Sequence, residues 1–227
     1  MGIAVCNVPG TNSNAVADLT FGLMLAVARN IVRTYRWVHE GRWQTAIGVD
    51  VCGKTLGLMG FGAIAKNVAR RASGFGMKVL AYDPYVKELP EEFQSYVTLC
   101  GENEVISGCD FLSLHLPLND ETRNMISAPQ LASMKAGAYV INAARGGIVN
   151  EKDLYEALVS GHIAGAAMDV SEVEPMAEEN PLRTLDNVII TPHIGMYSKE
   201  AIGAVSLICA QNVAACAAGA ELKFQVV

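Results

Sequence analysis

A chain of 227 residues, about half of them hydrophobic, holds enough apolar material for one substantial core or two modest ones. Its formal charge is -6 and its 17 Lys and Arg are scattered rather than clustered, which removes the electrostatic footprint of a nucleic-acid binder. Six cysteines (Cys6, Cys52, Cys100, Cys109, Cys209, Cys216) form no CxxC pair and no metal-ligand spacing, so free thiols, no bound metal and a cytoplasmic protein are expected.

In chain order, the first ten residues lack the basic segment of an export signal. They contain a short apolar run at 3–6 and a Pro9-Gly10 turn, and polar residues at 11–14 follow that are able to cap a helix. One long helix is predicted from about Ala15 into residues 35–39, apolar nearly all round at first and therefore in need of partners on several faces. The longest apolar stretch picked out, 21–28, is too short to cross a bilayer and stops at Arg29, so no membrane association is expected. From Lys54 onward the pattern changes to short apolar runs at 55–59, 78–82, 111–116, 139–143, 165–169 and 188–191, with a weaker one at 96–99. Helix-length segments lie between or after them at 63–74, 102–107, 129–134, 151–160 (Asn150 as N-cap) and 199–217. Such alternation predicts a parallel sheet built from βαβ units. Residues 172–180 read as an acidic loop.

The first strand runs into Gly60-Phe61-Gly62-Ala63-Ile64-Ala65, a G-x-G-x-x-A loop that opens a helix. The first glycine permits a tight turn, the second lets the backbone approach a pyrophosphate, and Ala65 allows close packing of helix on sheet. A diphosphate would rest on the amides and the positive dipole end of that helix. Asp83 ends the next strand, eighteen residues beyond Ala65. A carboxylate there accepts hydrogen bonds from the adenosine ribose hydroxyls and repels a 2′-phosphate, so NAD rather than NADP is the expected cofactor. The competing readings are a purely structural turn at the loop and a turn started by Asp83-Pro84.

Arg145, Glu174 and His193 each stand just past an apolar run. Singly they have ordinary explanations: a loop salt bridge, a solvated carboxylate, a helix-capping imidazole. Their convergence is less ordinary. Gly60, Asp83, His115, Arg145, Asp169, Glu174 and His193 all fall near predicted carboxyl ends of strands, the edge at which open α/β sheets bind ligands. Arg145, followed by Gly146-Gly147, can grip a substrate carboxylate through two hydrogen bonds and polarise a carbonyl. A Glu174 carboxylate beside His193 would favour the imidazolium that a proton donor to a ketone requires.

Together these motifs resemble the D-isomer-specific 2-hydroxyacid dehydrogenases over nearly the whole chain, most closely the D-3-phosphoglycerate dehydrogenase branch. The resemblance is carried by Gly2-Ile-Ala-Val-Cys-Asn-Val-Pro-Gly10, residues 53–62, His115-Leu-Pro-Leu118, Asn142-Ala-Ala-Arg-Gly-Gly147, Asp169-Val170 with Glu174-Pro175, and Thr191-Pro-His-Ile-Gly195. It implies a Rossmann-type, doubly wound, mostly parallel α/β sheet, and Arg145, Glu174 and His193 as catalytic residues acting on a 2-hydroxy or 2-oxo acid. NAD contacts are implied at Gly60, Gly62, Ala63, Ile64, Asp83, His115, Pro117, Ala144, Arg145, Asp169 and His193, with Asp169 at the nicotinamide end. A homodimer formed through the helix near 15–38 is implied as well. Residues 1–12 then correspond to a remnant of the substrate domain and its crossover, 13–200 to the NAD-binding domain, and 201–227 to a helix and tail returning toward the substrate domain. The segment that supplies most of the substrate domain in the family precedes the matching region, so the isolated chain is expected to turn over weakly or not at all. Met196-Tyr197 and Ser171 depart from the small and aromatic residues usual in relatives. A non-catalytic NAD-sensing module of the same fold, like a corepressor, is the alternative reading. A formate dehydrogenase would carry Gln where Glu174 stands.

Overall fold

The computed structural model describes residues 3–227; Met1 and Gly2, which begin the 1–12 segment, lie outside the described residues. Seven strands form one sheet: β1 (Thr55–Met59), β2 (Lys78–Tyr82), β3 (Val97–Leu99), β4 (Phe111–Leu114), β5 (Ala138–Asn142), β6 (Ile163–Met168) and β7 (Val188–Ile190). They lie in the order β3-β2-β1-β4-β5-β6-β7, and every neighbouring pair is parallel. Strands covered on both faces read as continuous apolar runs, which is why β4 and β5 are buried along their whole length.

Two cores sandwich the sheet. On one face Leu56, Leu58, Phe111, Tyr139 and Ile141 pack under α1 (Ser13–Ala28) and α3 (Ala63–Gly74). On the other, Met59, Leu112, Leu114, Val140 and Met168 meet α4 (Glu102–Gly108), α5 (Ala128–Ser133) and α6 (Glu151–Val159). Asn150 caps α6 as expected, its side chain accepting from the Asp153 amide at 3.0 Å.

The first helix departs from expectation. It is two helices, α1 and α2 (Ile31–His39), bent by 64° at Arg29-Asn30. Asn30 takes a left-handed conformation (φ 54°), and its amide donates to the Ile47 carbonyl at 3.0 Å. The bend follows burial: α1 sinks nine residues into the core, α2 none, and Arg33 and Arg36 of α2 reach instead to Asp186 beside β7. The polar cluster before α1 does not cap it either. The Ser13 hydroxyl donates to the Gly10 carbonyl and that of Thr11 to the Val8 carbonyl, so they close the preceding turn.

Helix α7 (Lys199–Ala217) closes the chain and buries only Ala201 and Asn212. With a mean hydropathy of 1.4 it is long and apolar enough to cross a membrane by composition, although Gly203, Ser206, Gln211 and Asn212 break its apolar residues into short runs. Asn212 clamps Lys223 through both its backbone N–H and carbonyl, and the tail beyond it forms an antiparallel bridge, Gln225 to Cys6. All six cysteines are free thiols. Burial pushes the Cys109 thiol up to about 12.

Candidate active site

Strand order reverses at β1: β2 and β3 extend to one side and β4 onward to the other, which opens a crevice between the carboxyl ends of β1 and β4. Gly60 leaves β1 with φ 90°, and a Cβ there would come within 2.6 Å of the His115 carbonyl, so only glycine lets the two strand ends approach this closely. Gly62 precedes α3 in extended conformation, faces open space where a side chain would be, and leaves the first-turn amides of α3 without a side-chain cap. Uncapped amides, a helix dipole and room for close approach fit the diphosphate of a dinucleotide. Ala63 and Ile64 form the first turn of α3, and Ala65 is fully buried beneath it. Asp83 lies beside the loop, one carboxylate oxygen accepting from the Phe61 N–H at 2.8 Å and the other from the Tyr85 N–H at 2.9 Å.

His115 follows β4 with its backbone at the crevice, while its ring is enclosed. Nε2 lies 2.9 Å from the Ser113 hydroxyl, Nδ1 is buried with no partner, and burial lowers the pKa to about 4, so the ring is neutral in the physiological range. Pro117 is exposed on the following loop, and its carbonyl accepts from the Thr122 hydroxyl.

Past β5, the fully buried Asn142 shapes the turn that presents Arg145. Its side-chain oxygen accepts from the Ala144 N–H and its amide donates to the Arg145 carbonyl. Arg145 is exposed and donates to the Ala144 carbonyl at 2.6 Å. Gly146 sits so close to the β6 loop that a Cβ would fall on the Ser171 carbonyl, which brings the Arg145 turn against the segment that carries Glu174.

Glu174 and His193 meet across that edge, His193 Nδ1 lying 2.8 Å from a Glu174 oxygen while the Ser171 N–H donates to the other. A carboxylate only accepts, so Nδ1 is the donor and Nε2 is left for another partner. Partial burial pushes the Glu174 pKa up, but the hydrogen bonds from His193 and Ser171 and the charges of His193 and Arg145 outweigh it and leave a net lowering. Asp169, 1% exposed, fastens the His193 turn: its carbonyl accepts from the His193 N–H, and its carboxylate from the Thr191 hydroxyl and the Ile194 and Gly195 amides. His193 is held at φ 55° by this arrangement. A concavity of about 740 Å³ flanks the pair, walled by Val32 and Arg36 of α2, by β7 and by Pro175 and Met176; it does not extend over the glycine loop.

Two groups therefore assemble along the carboxyl edge: the glycine loop of Gly60 and Gly62 with Asp83 tied to it, and the hydrogen-bonded Glu174–His193 pair with Arg145 close enough for its charge to act on Glu174. Asn142, which shapes the Arg145 turn, and Ser113, which meets the His115 ring, escaped the candidate set. The only hint was polar residues inside otherwise apolar strands.

Residues 21–195 match the family profile described as D-isomer specific 2-hydroxyacid dehydrogenase, NAD binding domain. The chain belongs to this family. Among curated relatives, this dehydrogenase domain is 47% identical to the hydroxypyruvate reductase of Thermotoga maritima (88% of this chain, 65% of the relative). It is 45% identical to the D-3-phosphoglycerate dehydrogenase of Methanocaldococcus jannaschii (93% of this chain, 41% of the relative). It thus spans less than two thirds of either. The solved structure of the TT0316 protein from Thermus thermophilus superposes with a TM-score of 0.93 at 38% identity, over 100% of this chain and 72% of the other. The cofactor expected from Gly60-x-Gly62 and Asp83 is the one in the family's description, NAD.

Proposed function

We propose that this NAD-binding domain belongs to an enzyme that transfers hydride between a 2-hydroxy acid and NAD, with Arg145, Glu174 and His193 as its catalytic residues. The observation that carries this reading is the 2.8 Å contact between Glu174 and His193 Nδ1, which leaves Nε2 for a substrate hydroxyl beside the Arg145 turn. In the oxidative direction the guanidinium of Arg145 pairs with the substrate carboxylate and steadies the developing carbonyl, while His193 Nε2 takes the hydroxyl proton. Glu174 balances the imidazolium so formed. Bound NAD supplies the hydride acceptor. In the reductive direction His193 returns the proton to the ketone oxygen. Gly60, Gly62, Ala63, Ile64, Asp83, His115, Pro117, Ala144 and Asp169 complete the cofactor surface, Asp169 chiefly through the turn it fastens.

The substrate we favour is 3-phosphoglycerate, as named for one of the relatives, which would place the enzyme in serine biosynthesis in the cytoplasm. We further propose residues 13–200 as the NAD-binding unit, with 1–12 and 201–227 joining it to a substrate domain that covers the exposed face of α7. A homodimer would form through residues 15–38, where Ile31, Val32, Tyr35 and Val38 lie exposed. Titration of NADH followed by fluorescence should show saturable binding, weakened at least tenfold by Asp83→Arg as a cation replaces the ribose acceptor; absence of binding ends the cofactor reading. On the complete enzyme, a screen of 2-hydroxy acids should identify the substrate. His193→Ala should lower kcat by about 10²–10⁴ with NADH affinity little changed. Unaltered turnover would remove His193 from the chemistry.

A further inference from the structure

We propose that Asp83 has a second task beyond reading the adenosine ribose: its carboxylate holds the Gly60–Gly62 loop in its phosphate-binding shape. Part of the dinucleotide affinity then passes through the loop rather than through the ribose. The inference rests on the NAD-binding reading above and adds a positioning role to it.

Two consecutive amides of the loop are tied to the end of β2. The Gly60 N–H donates to the Tyr82 carbonyl at 2.7 Å, and the Phe61 N–H donates to one Asp83 carboxylate oxygen at 2.8 Å. The other Asp83 oxygen accepts from the Tyr85 N–H at 2.9 Å, so the carboxylate bridges the turn after β1 and the turn after β2. Residue 61 is also fixed from its side chain. Phe61 is fully buried, its ring edge-on to Phe93 at 5.3 Å between centroids. With the amides of residues 60 and 61 spent in this way, those from Gly62 into α3 are the ones that face a phosphate. A carboxylate has about four lone-pair sites, so the two amides leave acceptor capacity for ribose hydroxyls. Loop and ribose are therefore served by one group, and removing its acceptor oxygens disturbs both.

The test compares NADH with an analogue whose adenosine ribose lacks both hydroxyls, in binding to the unaltered chain, Asp83→Ala and Asp83→Asn. A hydrogen bond to a charged group is worth a factor of about ten or more in affinity, so Asp83→Ala should weaken the analogue as well as NADH by that factor. Asp83→Asn keeps an acceptor oxygen for the Phe61 N–H and should restore most of the analogue's affinity while NADH stays weakened. Amide hydrogen exchange at Phe61 in the cofactor-free chain should accelerate in Asp83→Ala and recover in Asp83→Asn. Analogue affinity indifferent to Asp83→Ala while NADH falls would mean that Asp83 reads the ribose alone, and unchanged Phe61 exchange would likewise overturn the proposal. Failure of the unaltered chain to bind either ligand would instead overturn the cofactor reading, and this inference with it.

Discussion

Acid should destabilise this domain through His115 before most of its carboxylates are neutralised. The ring is enclosed, Nδ1 has no partner, and burial lowers its pKa from 6.5 to about 4. In the unfolded chain the same group takes a proton as the pH drops below 6.5, whereas the folded chain resists until about 4. The neutral ring thus contributes stability fully present above 6.5 and lost as the pH falls from there toward 4. The whole gap is worth roughly 3 kcal/mol, and the part lost between about pH 7 and pH 5 is roughly 2 kcal/mol, a sizeable share of a typical domain's stability. Urea unfolding followed by far-UV circular dichroism at those two pH values, at constant ionic strength, measures it. His115→Gln supplies the reference, since the amide can still reach the Ser113 hydroxyl but does not titrate. Groups with lowered pKa values such as Glu174 and Asp110 are present in both proteins and cancel in the difference. The unaltered chain should lose roughly 2 kcal/mol more than His115→Gln between the two pH values. Parallel losses would show that the folded chain accommodates the imidazolium, and the argument from burial would fail.

Gly60→Ala forces a Cβ to within 2.6 Å of the His115 carbonyl at a backbone φ of 90°, so both strand ends must shift. A loss of about 2–4 kcal/mol in thermal unfolding and an NADH affinity at least tenfold weaker are expected; unchanged affinity would remove the loop from the cofactor site. A disulfide reagent applied to the native chain should modify the exposed Cys52, Cys209 and Cys216 and spare Cys109, whose thiol is buried with a pKa of about 12, until denaturant is added. Mass spectrometry of the labelled peptides reads the outcome, and native labelling at Cys109 would refute its enclosure.

Much of the sheet could be read from residue order because strands buried on both faces write themselves as short apolar runs. β1 and β2, and helices α3 and α7, lie where those runs and intervals place them. The ends of β5, β6 and β7 fall one residue short of their apolar runs and that of β4 two, and that shortening releases His115, Ala143, Asp169 and Thr191 into the loops that build the site. The break at Asn30 was not legible. Apolar residues continue through 31, 32, 35 and 38, and nothing local signals that the core ends at Ala28 or that Asp186, far along the chain, waits for Arg33 and Arg36. The meeting of Glu174 with His193 could be anticipated from their shared edge. The packing of Phe93 against Phe61 could not, since Phe93 lies in a short turn, Glu91–Phe93, that carries no periodic pattern.

Asn142 and Asp169 explain how a site made of loops is held rigid. Both are polar, both are essentially inaccessible, and they occupy neighbouring strand ends, the Asp169 N–H donating to the Asn142 carbonyl at 2.8 Å. A buried amide or carboxylate is tolerated only when its hydrogen bonds are met, and here they are met by the backbone of the very turns that carry Arg145 and His193. The desolvation of these groups therefore enforces the turn geometry: unwinding either turn would leave a buried polar group without partners, at a cost of about 1–3 kcal/mol each and more for the charged one. Under the proposed function, Arg145 and His193 are accordingly presented from a frame that exists before substrate arrives, and binding energy need not be diverted to ordering it.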